Sequence, residues 1–100
     1  MINEELINVA IEAMKQEMIE YLKSANIAFK RRDLATNQFY LGTARGYKKS
    51  LRLLGIEAYV VGEYNFANKM SYVKSILIDG IETMMGDLEE SCEICEVQND

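Results

Sequence analysis

Apolar side chains recur three and four positions apart along three stretches of the chain, residues 6–29, 34–54 and 66–88. This spacing gathers the apolar residues on one face of an α-helix. Asp33 is a candidate N-cap for the second stretch, and Gly55 is placed to end that helix in the left-handed conformation. The pattern predicts an all-α fold, an antiparallel helical hairpin plus a third long helix.

Residues 58–62 differ from this pattern because they are β-branched and aromatic, which favours an extended conformation. No second strand-like run is apparent that could pair with them inside the chain. We therefore interpret the segment either as a connection packed on the hairpin or as an edge strand paired with a second copy.

A chain of 100 residues is long enough for one domain. We assign residues 1–90 to a single helical domain and residues 91–100 to an acidic tail that is partly disordered. The absence of proline agrees with long helices. Since no signal peptide or membrane-spanning run is apparent, we expect a cytoplasmic protein without a membrane partner.

The predicted helices carry more apolar surface than one copy can bury, so we expect a homo-oligomer, most simply a dimer. A Gly-x-x-x-Gly spacing in the second helix indicates close approach of another backbone, since each helical glycine costs about 1 kcal/mol relative to alanine. The predicted helix-packing and oligomer interface consists of Phe39, Gly42, Gly46, Met70, Val73, Leu77 and Met84. Tyr59 and Tyr64, in the connection, are candidates for a partner surface.

The charges are polarised along the chain, although the net charge is only −5. Basic residues concentrate between Lys23 and Arg52, whereas no base follows Lys74. This arrangement is compatible with attraction between subunits or between segments of one chain. It also permits an alternative, a nucleic-acid contact on the second helix, through Arg45, Lys48, Lys49 and Arg52.

The sequence shows little that could support catalysis. It contains no histidine, and no carboxylate lies within an apolar stripe, so we predict a protein that is not an enzyme and has no cofactor. Cys92 and Cys95 have the spacing of half a zinc site. We interpret them as two reduced thiols, with a zinc ion shared between two subunits as the alternative.

The stretch from Phe39 to Tyr47, followed by Leu51-Arg52-Leu53-Leu54-Gly55-Ile56, resembles a segment common in small uncharacterised helical proteins of Gram-positive bacteria, their phages and integrated elements. The resemblance implies an accessory protein that works by binding, for example as an inhibitor of a host or defence protein. We therefore expect a non-enzymatic adaptor, regulator or inhibitor that occludes a partner's surface as a homo-oligomer. The alternative is a nucleic-acid-binding regulator.

Overall fold

A computed structural model describes residues 4–85 and shows two helices followed by three strands. The helices are α1 (Glu4–Lys30) and α2 (Leu34–Leu53), and the strands are β1 (Ala58–Asn65), β2 (Met70–Ile78) and β3 (Ile81–Met84). The strands form one antiparallel sheet in the order β1-β2-β3. The predicted acidic tail, with Cys92 and Cys95, lies outside the described residues.

The predicted helical hairpin is present, and local hydrogen bonds explain its tight turn. Arg32 is left-handed with φ 60°, so the Asp33 N–H can donate to the Ala28 carbonyl and close the end of α1. Asp33 then caps α2, because its carboxylate accepts from the Thr36 N–H at 3.1 Å. One residue thus ends the first helix and starts the second.

The predicted end of α2 is also confirmed. Gly55 is left-handed with φ 84°, and the Ile56 N–H donates to the Leu51 carbonyl at 3.0 Å. This is the glycine-ended motif in which the chain folds back onto the last helical turn. The chain consequently leaves α2 in a direction that starts β1.

The prediction of an all-α fold was wrong, because residues 66–85, the described part of the predicted third helix (residues 66–88), do not form a helix. Residues 70–84 form β2 and β3, joined by a two-residue turn at Asp79-Gly80. Both turn residues have positive φ values, 49° and 81°, as a type I′ hairpin turn requires. The architecture is α+β, so neither an all-α fold nor a helical bundle describes the chain.

The interpretation of residues 58–62 as unpaired within the chain was also wrong. They belong to β1, which pairs with β2 from Ala58 opposite Ile78 to Asn65 opposite Met70. The register shifts between Val61 and Gly62, which lie opposite Ser75 and Val73, so that Lys74 is the extra residue of a β-bulge. Gly62 is required here, because a Cβ would collide with the Tyr72 carbonyl oxygen.

The core lies between the helical hairpin and one face of the sheet. Its buried side chains come from both helices and from the strands, and they are Met18, Leu22, Ala44, Leu51, Ala58, Val73, Ile76 and Met85. Tyr21 of α1 stacks on Tyr47 of α2, with ring centroids 5.8 Å apart, at the contact between the helices. The molecule is therefore a two-layer α/β sandwich with one apolar core.

Two buried asparagines attach the helices to the sheet through the backbone of β2. The Asn26 amide of α1 donates to the Val73 carbonyl at 2.9 Å and accepts from the Val73 N–H at 2.8 Å. The Asn37 amide of α2 makes the same pair of hydrogen bonds with Ser71, at 3.1 and 3.3 Å. Each amide occupies the position that a neighbouring strand would take.

These amides continue the ladder beyond the end of β3. The last backbone bond on that side runs from the Met85 N–H to the Lys74 carbonyl, so Val73 and Ser71 would otherwise lack partners there. A buried N–H or C=O without a partner costs about 1–3 kcal/mol. The two amides together satisfy four such groups, and Asn37 also donates to the Ala25 carbonyl of α1 at 2.9 Å.

We expect Asn26→Ala and Asn37→Ala each to lower the free energy of unfolding by about 2–4 kcal/mol, because both leave strand groups unpaired. Urea denaturation followed by circular dichroism measures the change. Asn8→Ala, at an exposed position of α1, is the control and should change stability little. A decrease of less than about 0.5 kcal/mol in the free energy of unfolding of Asn26→Ala would contradict the role of Asn26 in attaching α1 to the sheet.

The Asp33 cap predicts a specific pH dependence. The Thr36 hydroxyl, at 2.6 Å, and the Thr36 N–H hold the pKa of the Asp33 carboxyl below its ordinary 3.8. Since the folded-state pKa is the lower one, this stabilisation is complete above the unfolded pKa and is lost as the pH falls through the folded pKa.

The stability difference between wild type and Asp33→Ala should therefore be constant above about pH 5 and shrink below about pH 4. Urea titrations at a series of pH values measure it. Asp33→Asn keeps a capping oxygen that does not titrate, so its difference from Asp33→Ala should stay level in the same range. If the stability difference between wild type and Asp33→Ala persisted at low pH, capping by the ionised Asp33 carboxylate would be excluded.

Candidate protein-binding groove between α2 and β1

The outer edge of β1 is open, because no fourth strand pairs with it in the described part of the chain. The side of β1 that faces β2 is identified by hydrogen bonds at both ends of the strand. The Glu57 carbonyl accepts from the Asp79 N–H, and the Asn65 carbonyl accepts from the Lys69 N–H. By alternation, the N–H and C=O groups of Val60, Gly62 and Tyr64 point outward. They offer a template for another extended chain.

β1 is the more suitable of the two sheet edges for such pairing. It has eight residues and β3 has four, and very short edge strands resist added strands. Seven of the eight β1 residues are exposed, and the strand contains neither lysine nor proline, which commonly protect an edge. The long edge is therefore also the less protected one.

The two predicted partner residues lie on this strand. Tyr59 and Tyr64 are 46% and 48% exposed, as expected for a contact surface. Arg52 of α2 places its guanidinium 5.8 Å from the centre of the Tyr59 ring, which brings the end of α2 next to the edge. Their role as a partner surface stays a prediction.

A groove runs between α2 and β1, beside the open edge. Its floor is apolar, and its lining residues are Leu22, Leu41, Ala44, Arg45, Lys48 and Val60. Arg45 and Lys48 also line an adjoining depression of about 510 Å³ on α2, together with Lys49, Arg52 and Leu53. The apolar floor is thus bordered by cations on the helix side and by free backbone groups on the strand side.

The structure brings together the four residues predicted as an alternative nucleic-acid contact. Arg45 and Lys48 line the groove itself, Lys49 and Arg52 join them in the adjoining depression, and together they are the cations on the helix side of the groove. Within residues 4–85 none of them forms an ion pair, whereas Lys15, Lys23 and Lys74 each lie next to a glutamate. Their charge is therefore uncompensated by described side chains, and the groove attracts anionic groups.

The structure separates the residues of the predicted oligomer interface. Met70 and Val73 are buried in β2, so their side chains cannot contact a second polypeptide. Leu77 is half-buried, Met84 is exposed on β3, and Phe39, Gly42 and Gly46 share an exposed face of α2. A Cβ added at either glycine would meet nothing within 4 Å, so no described part of the chain explains them.

Sequence reasoning missed the groove because it missed the strand pairing. The Asp79-Gly80 dipeptide between apolar runs was the available signal, since Asp-Gly is typical of a two-residue hairpin turn. Asn26 and Asn37 lie within apolar helical stripes, which could have marked them as buried polar groups that need partners.

In residues 4–85, no group of three or more histidine, cysteine, aspartate or glutamate side chains could hold a metal ion. Neither described helix combines the length and apolar character needed to cross a bilayer. No protein-family model, curated protein or solved structure matches the chain. The resemblance stated above therefore stays a prediction.

The exposed glycines of α2 allow a direct test of whether another chain covers them. In an uncovered helix, Gly42→Ala and Gly46→Ala should each raise the free energy of unfolding by about 1 kcal/mol, because alanine is the better helix former. Thermal and urea denaturation measure this. If a partner backbone packs on this face, the substitutions should instead lower oligomer mass in sedimentation experiments at matched concentrations.

Proposed function

We propose that this is a non-enzymatic protein-binding protein, an adaptor, regulator or inhibitor, and that its groove takes an extended acidic segment of another polypeptide. The segment pairs with β1 as a fourth strand of the sheet, and the protein thereby occludes this segment from other partners. The observation that carries the proposal is the open eight-residue edge of β1 beside four cations that form no ion pair within residues 4–85.

The edge supports a polypeptide ligand because backbone hydrogen bonds give affinity in strand addition. Apart from the cations, the lining residues that are not fully buried are Leu41 and Val60, which can receive the apolar side chains that project from one face of the added strand. The cations then select acidic residues and raise the rate of encounter. These three features together match one kind of ligand, an extended chain that carries both apolar and acidic residues on the face turned toward α2.

The same cations favour nucleic acid as the alternative ligand, since a row of basic side chains can follow phosphates. Nucleic acid would leave the backbone groups of β1 and much of the apolar floor unused, so the polypeptide is the better match. Homodimerisation through β1 is less well supported, because this strand has a single acidic residue, Glu63, which is already paired with Lys74.

A labelled peptide of about ten residues, in which pairs of glutamates alternate with pairs of valines so that each face carries both, tests the proposal by fluorescence anisotropy. We expect binding that weakens steeply with salt. Lys48→Gln/Lys49→Gln should reduce the affinity about tenfold, since two charges facing the ligand are removed. Val60→Glu should reduce it at least as much, because it places an anion on the floor beside the edge.

The controls separate the groove from general charge effects. Lys15→Gln/Lys23→Gln removes the same charge from α1, and Val9→Glu repeats the edge substitution at an exposed helical site, so both should bind normally. The same peptide with lysine in place of every glutamate should not bind. Tighter binding of a thymidine oligonucleotide than of the acidic peptide, with the same dependence on Lys48 and Lys49, would favour the nucleic-acid alternative instead.

A further inference from the structure

Residues 87–97 of this chain have the chemistry that the groove selects. They contain five acidic residues and no lysine or arginine, and the acids are interspersed with apolar and thiol side chains, as in Cys92-Glu93-Ile94-Cys95-Glu96-Val97. The cations of the groove belong to the basic part of the polarised charge pattern, and the carboxylates of this segment belong to its acidic part. Opposite charges on one chain attract each other at high effective concentration.

We infer that the distal part of this segment, residues 92–97 of the same chain, occupies the groove between α2 and β1 as an internal competitor of the external ligand. This inference rests on the proposed function, because it assigns an occupant to the same groove. The carboxylates of the segment meet Arg45, Lys48, Lys49 and Arg52, and its apolar side chains meet the floor around Leu41 and Val60.

The segment can reach the groove from the point where the described chain ends. Met85 is held next to β2 by its N–H bond to the Lys74 carbonyl. Neighbouring strands lie about 4.8 Å apart, so a strand added outside β1 lies about 14 Å from β3, and the chain has to pass over the sheet face opposite the helices to reach it. An extended chain advances about 3.3 Å per residue, so about six residues after Met85 cover this path and leave residues 92–97 for a short strand.

Occupancy by the same chain has a consequence for regulation. An external acidic ligand has to displace the internal segment, so its apparent affinity is reduced by the fraction of molecules whose groove is free. A protein carrying Glu89→Gln, Glu90→Gln, Glu93→Gln and Glu96→Gln should therefore bind the glutamate–valine peptide more tightly than wild type, by about three- to tenfold.

Zero-length carbodiimide cross-linking tests the contact directly, because it joins a lysine amine to a carboxylate only where the two touch. We mix full-length protein of natural isotopic abundance with the same protein labelled with ¹⁵N and identify cross-links by mass spectrometry. We expect Lys48 and Lys49 to join Glu93 or Glu96, with both halves of each cross-linked peptide from one isotopic population. Lys15, Lys23 and Lys69 serve as internal controls.

Paired variants keep Lys48 and Lys49 as reporters while changing the charge around them. Arg45→Glu/Arg52→Glu should lower the yield of these cross-links about fivefold or more, whereas Arg45→Lys/Arg52→Lys, which keeps the charge, should retain them. Salt at 1 M, with a screening length of about 3 Å, should also suppress them. Circular dichroism of each variant confirms that it is folded.

Three results would overturn the inference. Cross-links of mixed isotopic origin would show that the segment occupies a second copy, equal yields at Lys15 or Lys69 would show no preference for the groove, and unchanged peptide affinity in the four-glutamine variant would show no competition. In each case, groove-dependent binding of the glutamate–valine peptide by wild type would leave the proposed function standing. Absence of that peptide binding in both wild type and the four-glutamine variant would refute both.

Discussion

The pairing of Asn26 and Asn37 with the backbone of β2 is the constraint on which the arrangement of this protein depends. Amides on two different helices each satisfy the donor and acceptor of one strand residue, Val73 and Ser71. The same amide of Asn37 also bonds to the Ala25 carbonyl of α1. The geometry of these bonds fixes where the hairpin lies on the sheet, whereas apolar contacts alone are not directional.

This attachment decides which sheet edge remains available. The side of β2 that faces β3 is completed by Asn26 and Asn37 where β3 ends, so the helices close that side. On the opposite side, β2 pairs with β1, and no strand within residues 4–85 covers the outer edge of β1. Since α2 ends beside the start of β1, its cationic face lies along this edge and creates a groove with one polar and one charged border.

The groove combines two features that natural proteins usually avoid leaving exposed. A long apolar edge strand invites pairing with other chains, and a row of uncompensated cations repels itself. Both liabilities are relieved by one kind of ligand, an extended acidic chain. That coincidence is the physical basis for our proposal that this surface binds an extended chain.

The helical hairpin could be predicted from the sequence because its signals are local. Asp33 and Gly55 act through hydrogen bonds within one turn of chain, so residue type and position suffice to predict the α1–α2 turn and the end of α2. The cations of α2 were likewise recognisable, since a three-one-three spacing places them on one side of any helix.

The sheet was decided by tertiary structure. The bulge at Lys74 interrupts the alternation of β2, whose buried residues are Met70, Tyr72, Val73, Ser75 and Ile76. Three of them, Met70, Val73 and Ile76, recur at three-residue spacing and resemble a helical stripe. Strand pairing joins residues far apart in the chain, and its energy depends on partners that no local pattern reveals. Local signals were thus sufficient to predict two helices and a charge pattern, whereas pairing between distant residues placed the outer edge of β1, uncovered within residues 4–85, beside those charges.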